Sequence, residues 1–233
     1  MLRTHHTVIM QALDQFNADY LQQHGILFGG GTRIALELDE YRESIDLDFF
    51  CPHKDAFRAV RLQVKENSLG QLVKQDFSYP RGIRADRDAV RCFICIHNTT
   101  IKLEFISFAD YDLQPDQASI FPVPYIDRHT CFFTKLLANA DRYADPPFKD
   151  IFDLLVMTDY WGEIPQTALI AADKHYGQKV VINGLVYALE QIDRYPERFL
   201  KTAVEQLSID PSYAEHLRDV VVIQLKNDNR LIK

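Results

Sequence analysis

Phe28-Gly29-Gly30-Gly31-Thr32 is followed, after a short helix's worth of residues, by Arg42-Glu43-Ser44-Ile45-Asp46-Leu47-Asp48-Phe49-Phe50. Three glycines follow an apolar run, and two aspartates stand two apart in a second one. Residues two apart in a strand point to the same face. Asp46 and Asp48 therefore present paired carboxylates on one side while Leu47 and Phe49 face a core. Side-by-side carboxylates repel and are costly to desolvate, and a divalent cation makes such a pair favourable. The glycines let the backbone approach a ligand and leave N–H groups to meet an anion. An anion cradle beside metal-binding acids suits chemistry on a nucleoside triphosphate.

Working outward, periodicity predicts a helix over Thr7–Leu21, ended by His24-Gly25, and a short strand, Ile26-Leu27-Phe28, opening onto the glycines. Thr32 is expected to cap a helix over Ile34–Asp39, and Ile45–Phe50 to form the carboxylate strand. A helix over Asp55–Ser68 carries the cationic stripe Arg58, Arg61 and Lys65. Strands are expected over Leu72–Tyr79, Ala89–His97 and Thr100–Phe108, with Asn98-Thr99 as a hairpin turn. The proline-rich stretch Ala109–Asp127 reads as a linker. Beyond it come helices over Arg128–Tyr143, from Asp145-Pro146 to Tyr160, and over Pro165–His175, Val180–Arg194, Pro196–Leu207 and Pro211–Lys226. This organisation gives an α/β (α+β) core domain, residues 1–126, followed by a helical domain, residues 127–233.

The 233 residues include 47% hydrophobic and 25% charged side chains, ordinary for a globular protein. No apolar run approaches the roughly 20 residues of a membrane span. Met1-Leu2-Arg3-Thr4-His5-His6 lacks a signal-like apolar region, so a cytoplasmic location is expected. Cys92 and Cys95 form a C-x-x-C in an extended run, where residues three apart face opposite sides, which argues against a shared zinc or disulfide. The net charge of −7 excludes a general nucleic-acid coat, yet Lys54–Arg91 holds nine Lys/Arg against five Asp/Glu. That basic segment is compatible with a phosphate-rich partner.

The string Gly30-Gly31-Thr32, Leu36, Arg42, Ser44, Asp46, Asp48, Phe49 resembles the AbiEii/AbiGii-type nucleotidyltransferase toxins, a branch of the DNA polymerase β-like nucleotidyltransferase superfamily. Lys135-Leu136-Leu137-Ala138, Arg142 and Lys149-Asp150-Ile151-Phe152-Asp153-Leu154 are similar to that family's later lysine and Arg/Lys-Asp motifs, with Lys149 where the family often has arginine. The resemblance covers about Gly29–Leu154. It implies a polymerase β-like core with a mixed sheet and a C-terminal helical bundle.

It also implies a third acid on a later strand, and Glu104 in Ile101-Lys102-Leu103-Glu104-Phe105-Ile106 has that form. On this reading Asp46, Asp48 and Glu104 bind Mg²⁺ or Mn²⁺ and are catalytic, together with Lys135 and Asp150. Gly30, Gly31, Thr32, Ser44 and Lys135 hold the nucleotide's phosphates. Arg42 either joins them or pins the carboxylate strand. The implied reaction transfers a nucleotide from a nucleoside triphosphate to RNA, with the tRNA 3′ end the leading acceptor and an antitoxin protein as partner. A small cationic acceptor of aminoglycoside type, a protein hydroxyl, and a catalytically silent binding module are the alternatives.

Overall fold

The computed structural model describes residues 3–108 and 111–231. The first two residues of the expected linker, Ala109 and Asp110, and Met1-Leu2 lie outside the described residues. The chain divides into two compact units. One comprises Met1–Glu37 and Ser44–Asp127, the other Leu38–Glu43 and Arg128–Lys233.

The first unit contains α1 (Thr4–Asp14), α2 (Ala18–Gln23), β1 (Leu27–Gly29), α3 (Gly30–Glu37), β2 (Leu47–Cys51), α4 (Lys54–Gln63), β3 (Arg84–Ala85), β4 (Ala89–Ile96) and β5 (Thr99–Ser107). The strands form one mixed sheet in the order β1-β2-β5-β4-β3. β2 and β5 are parallel, and every other pairing is antiparallel. Alternation decides the faces. Leu47, Phe49, Ile101, Leu103 and Phe105 are buried, while Asp48, Lys102 and Glu104 are only half-buried on the opposite side. α1 and α4 pack on the sheet. Phe49 and Phe105 stack at 5.2 Å between ring centroids, and Phe16 closes on Phe49 at 4.6 Å. Full burial of each such ring contributes about 1.5–3 kcal/mol.

Several boundaries move for local physical reasons. The first expected helix is two, because Asn17 accepts the Tyr20 N–H and restarts the chain as α2. The strand expected over Leu72–Tyr79 is instead a loop with one tight turn at Gly70–Leu72. Asp76 organises it, accepting bonds from Ser68 Oγ (2.7 Å), Leu69 N (3.0 Å) and the Tyr79 hydroxyl (2.9 Å). The hairpin turn is His97-Asn98, with His97 at φ +52°, and Thr99 already belongs to β5. Cys92 is buried and Cys95 half-buried, both free thiols three apart on β4.

The second unit is helical: α5 (Arg128–Arg142), α6 (Lys149–Trp161), α7 (Gln166–Tyr176), α8 (Gln178–Arg194), α9 (Pro196–Lys201), α10 (Pro211–His216) and α11 (Val222–Lys226). Wider π-type turns at Thr202–Gln206 and Leu217–Val221 extend α9 and join α10 to α11. α5 packs against α6, α7 and α8. α6 starts at Lys149 rather than at Pro146, because a residue before proline avoids the helical region and Pro146 precedes Pro147. Asp210 caps α10 as expected, accepting from Ser212 N and Tyr213 N. The short segment Leu38–Glu43 joins this unit, with Glu43 N donating to Leu207 O at 3.1 Å. None of the helices is long and apolar enough to cross a membrane among the described residues.

Candidate active site

Strand register lines up one row across the sheet. Gly29 pairs with Asp48, Asp48 with Glu104, Glu104 with Arg91, and Arg91 with Arg84. Paired residues share a face, so glycine, two acids and two arginines lie side by side from β1 to β3. The parallel pairing of β2 with β5 makes Asp48 and Glu104 neighbours, although 56 positions separate them in the sequence. Asp46 lies just before β2 and is half-buried.

The glycines set the near edge of this row. Gly30 adopts φ +73°, and a Cβ there would stand 2.2 Å from Asp48 Oδ2. A Cβ on Gly29 would meet the Phe50 ring at 2.4 Å. The Asp48 carboxylate thus lies against the first residue of α3, where the helix's N-terminal N–H groups favour negative charge. Thr32 does not cap α3 as expected but lies within it. Its Oγ1 donates to Asp46 O at 2.5 Å and pairs with Ser44 Oγ at 2.8 Å, tying the helix to the entry of β2. The Ser44 N–H donates to Nε2 of the fully buried His6 at 3.3 Å. His6, in a region without motif, was not foreseen.

Glu104 is gripped by two cations on the same face. Arg91 Nε donates to Oε1 at 2.8 Å, and Lys102 Nζ donates to Oε2. Partial burial disfavours the Lys102 charge, but the hydrogen bond and charge of Glu104, then Asp46 and Asp48, push its pKa up. Arg91 also pairs with Asp86 at 2.5 Å. Asp46, Asp48 and Glu104 carry hard oxygen atoms, the ligand type that Mg²⁺ takes. Among the described residues, no three His, Cys, Asp or Glu side chains are already converged on one point for an ion. Lys102 supplies the positive charge among the three acids.

Lys135, Asp150 and Arg42 lie within the helical unit. Lys135 Nζ donates to Asp150 Oδ1 at 2.9 Å and pairs with Asp153 Oδ2 at 2.5 Å. Arg42 grips Asp153 with Nε on Oδ1 (2.6 Å) and Nη2 on Oδ2 (3.0 Å), and the Tyr41 hydroxyl donates to the same carboxylate. Arg142 holds the other oxygen of Asp150 at 2.8 Å. The Arg42 guanidinium therefore rests on Asp153, and its Nη1 donates to Glu43 O at 3.0 Å. Asp153, fully buried, is the hub that the sequence did not single out. Burial alone would raise its pKa, but Arg42 and Lys135 hold it well below the usual carboxylate range. Lys135 is pushed up against its own burial by Asp150 and Asp153. Lys149 goes the other way: burial, then the charges of Lys135 and Arg42, lower its pKa. Lys149 has no hydrogen bond or ion pair among the described residues.

Comparison with known proteins agrees with this architecture. Residues 11–228 match the sequence profile of the nucleotidyl transferase AbiEii toxin of type IV toxin–antitoxin systems. A candidate nucleotidyltransferase of Helicobacter pylori superposes with a TM-score of 0.56 at 16% identity, covering 94% of this chain and 92% of that one. JHP933 of Helicobacter pylori gives 0.52 at 17% identity, covering 94% and 90%. No curated protein matches the sequence significantly. With the profile spanning nearly the whole chain, and a mixed sheet carrying its acids beside a glycine turn, the chain belongs to the AbiEii nucleotidyltransferase toxin family.

Proposed function

We propose that this protein transfers a nucleoside monophosphate from a nucleoside triphosphate to a hydroxyl of RNA, with the tRNA 3′ end as acceptor. The observation that carries the proposal is the in-register pair of Asp48 and Glu104 beside Gly30. The acceptor oxygen forms a bond to the α-phosphorus as the bond to the β-phosphate oxygen breaks, and pyrophosphate leaves. Glu104 accepts the proton of the attacking hydroxyl. The N–H groups of Gly30, Gly31 and Thr32 at the start of α3, with the Ser44 hydroxyl, hold the β- and γ-phosphates. Asp46, Asp48 and Glu104 would hold Mg²⁺ or Mn²⁺, which supplies charge stabilisation for the attacking and leaving oxygens. Ion binding asks Glu104 to exchange Lys102 for the metal.

The family resemblance gives Lys135 and Asp150 a part in the reaction as well, Lys135 as charge and Asp150 as the group that orients it, and the two are paired at 2.9 Å. RNA as acceptor is supported by the basic half of the row, Arg91 and Arg84. It is supported also by a depression lined by Lys54, Arg58, Arg61 and Arg87 at the C-terminal ends of β2 and β5. That depression includes Ser107, three residues beyond Glu104, or about 10 Å along the strand. A cognate antitoxin and a cytoplasmic setting, where nucleoside triphosphates and tRNA are found, complete the proposal.

The test supplies purified protein with Mg²⁺, each α-labelled nucleoside triphosphate in turn, and total bacterial tRNA. Label enters the tRNA with wild type and falls at least about a hundredfold with Asp48→Ala, the scale of losing one group that stabilises transition-state charge. Label on protein or on an aminoglycoside, with tRNA bare, would overturn the RNA assignment.

A further inference from the structure

We infer that an aromatic cleft in the helical unit binds an unpaired nucleobase of the acceptor RNA. The cleft, with a cavity volume of ≈ 90 Å³, lies where the end of α5, the loop before α6, α8 and α9 meet. Tyr143, Tyr187 and Tyr195 line it with 37%, 41% and 48% of their surfaces exposed. The Tyr143 and Tyr187 rings meet at 4.9 Å and 62°. Arg198 lies over the Phe148 ring, its guanidinium carbon 4.7 Å from the centroid. Phe148 holds φ +57°, a left-handed conformation that non-glycine residues rarely adopt. Gly184 brings α8 close to α5, because a Cβ there would stand 3.1 Å from Ala140 Cα.

The polar groups of the cleft identify its occupant. The three tyrosine hydroxyls, the Gln191 amide and the Arg198 guanidinium make no hydrogen bond or ion pair among the described residues. An aliphatic side chain of a protein partner would bury these groups without partners, at a cost for each. A nucleobase offers a π-face for the rings and guanidinium and an edge with donors and acceptors. Arg194 and Arg198 flank Tyr195 on either side, and both are exposed. Exposed aromatic rings alternating with unpaired cations form the usual arrangement for a single strand, with rings for bases and cations for phosphates. The inference rests on the RNA-acceptor reading, and it gives the helical unit part of that recognition.

The test measures binding of the full chain to a single-stranded RNA oligonucleotide carrying 2-aminopurine near its 3′ end, by anisotropy and by fluorescence quenching, without turnover. Stacking on one aromatic ring changes affinity roughly five- to hundredfold. Tyr187→Ala/Tyr195→Ala is expected to lose at least tenfold in affinity together with the quenching. Tyr187→Phe keeps both, and Arg198→Gln weakens binding and flattens its salt dependence. A folded double variant, with unchanged melting temperature, that binds and quenches like wild type would overturn the cleft while leaving the RNA acceptor standing. Wild type without affinity for the oligonucleotide would overturn both. Quenching of free 2-aminopurine nucleotide but not of the oligonucleotide would assign the base to the triphosphate and overturn the RNA occupant.

Discussion

On the sheet, Asp46, Asp48 and Glu104 keep partial access to solvent, and their neighbours Lys102 and Arg91 are 41% and 46% exposed. In the helical unit, Asp150 and Asp153 are buried and matched oxygen by oxygen with Lys135, Arg42, Arg142 and Tyr41. Both regions combine carboxylates with Lys and Arg, but their surroundings give the charges different work. A buried, fully partnered network fixes structure, and any ligand that meets it must compete with partners already in place. A half-exposed set in which three acids share two cations can exchange partners at modest cost. Substitutions that separate stability from chemistry test this contrast.

The largest expected effect is in the helical unit. Asp153→Ala leaves the Arg42 and Lys135 charges buried without their shared acid, and removing one member of a buried pair costs about 3–5 kcal/mol. Urea unfolding should show that loss, whereas Asp46→Ala on the sheet stays within about 1 kcal/mol of wild type. Equal losses for the two variants would dissolve the contrast.

The pH dependence sharpens it. The Asp153 pKa is lower folded than unfolded, so its stabilisation is present above the unfolded carboxylate value, about 3.9, and is lost as pH falls through the folded value. The Lys135 pKa is raised, so its contribution is present below about 10.4 and is lost as pH rises through the folded value. The network is therefore at full strength between about pH 4 and pH 10. The urea midpoints of wild type and Asp153→Asn should lie furthest apart at pH 7, and the gap should narrow progressively as pH falls below about 4. A gap that stays constant with pH would place the effect of Asp153 in packing rather than charge.

How much of this was legible depended on the range of the signal. The acid–apolar–acid alternation and the glycine run are local, and with them came the sheet's face, the mixed α/β core and the family. The row Gly29-Asp48-Glu104-Arg91 was not legible, because pairing between distant strands leaves no mark in either strand's own periodicity. Asp153 stood in the later motif without a role of its own, because helical spacing shows which residues share a face, not that a six-residue segment starting at Leu38 would bring Tyr41 and Arg42 to it. Thr32 has the chemistry of a cap, yet Gly30, free of Cβ, let the helix begin four residues before Ile34.

Next in size is a glycine comparison within the first unit. Gly25 and Gly30 both hold positive φ, +63° and +73°, but a Cβ on Gly25 meets nothing within 4 Å, whereas one on Gly30 strikes Asp48. Gly25→Ala should cost only the strain of the left-handed conformation, about 1–2 kcal/mol, with nucleotide transfer intact. Gly30→Ala should carry the same strain and also displace the Asp48 carboxylate, lowering transfer at least tenfold. Thermal melting and labelled-nucleotide transfer on both variants read the two effects separately. Similar transfer by the two would mean that Gly30 serves the turn and not the site.

The smallest effect is the most direct test of how the acids are poised. Lys102 occupies, by charge, the position among Asp46, Asp48 and Glu104 that a divalent ion would take. Lys102→Met keeps the length and apolar stem of the side chain and removes the competing charge. The lysine is part-exposed, so stability should change by less than about 1 kcal/mol. Mn²⁺ affinity, followed by calorimetry, should rise several-fold, because the ion no longer displaces a cation or sits beside one. Unchanged Mn²⁺ affinity would mean that Lys102 stays on Glu104 with the ion bound. The metal would then rest on Asp46 and Asp48 alone, and Glu104 would act only on the acceptor's proton.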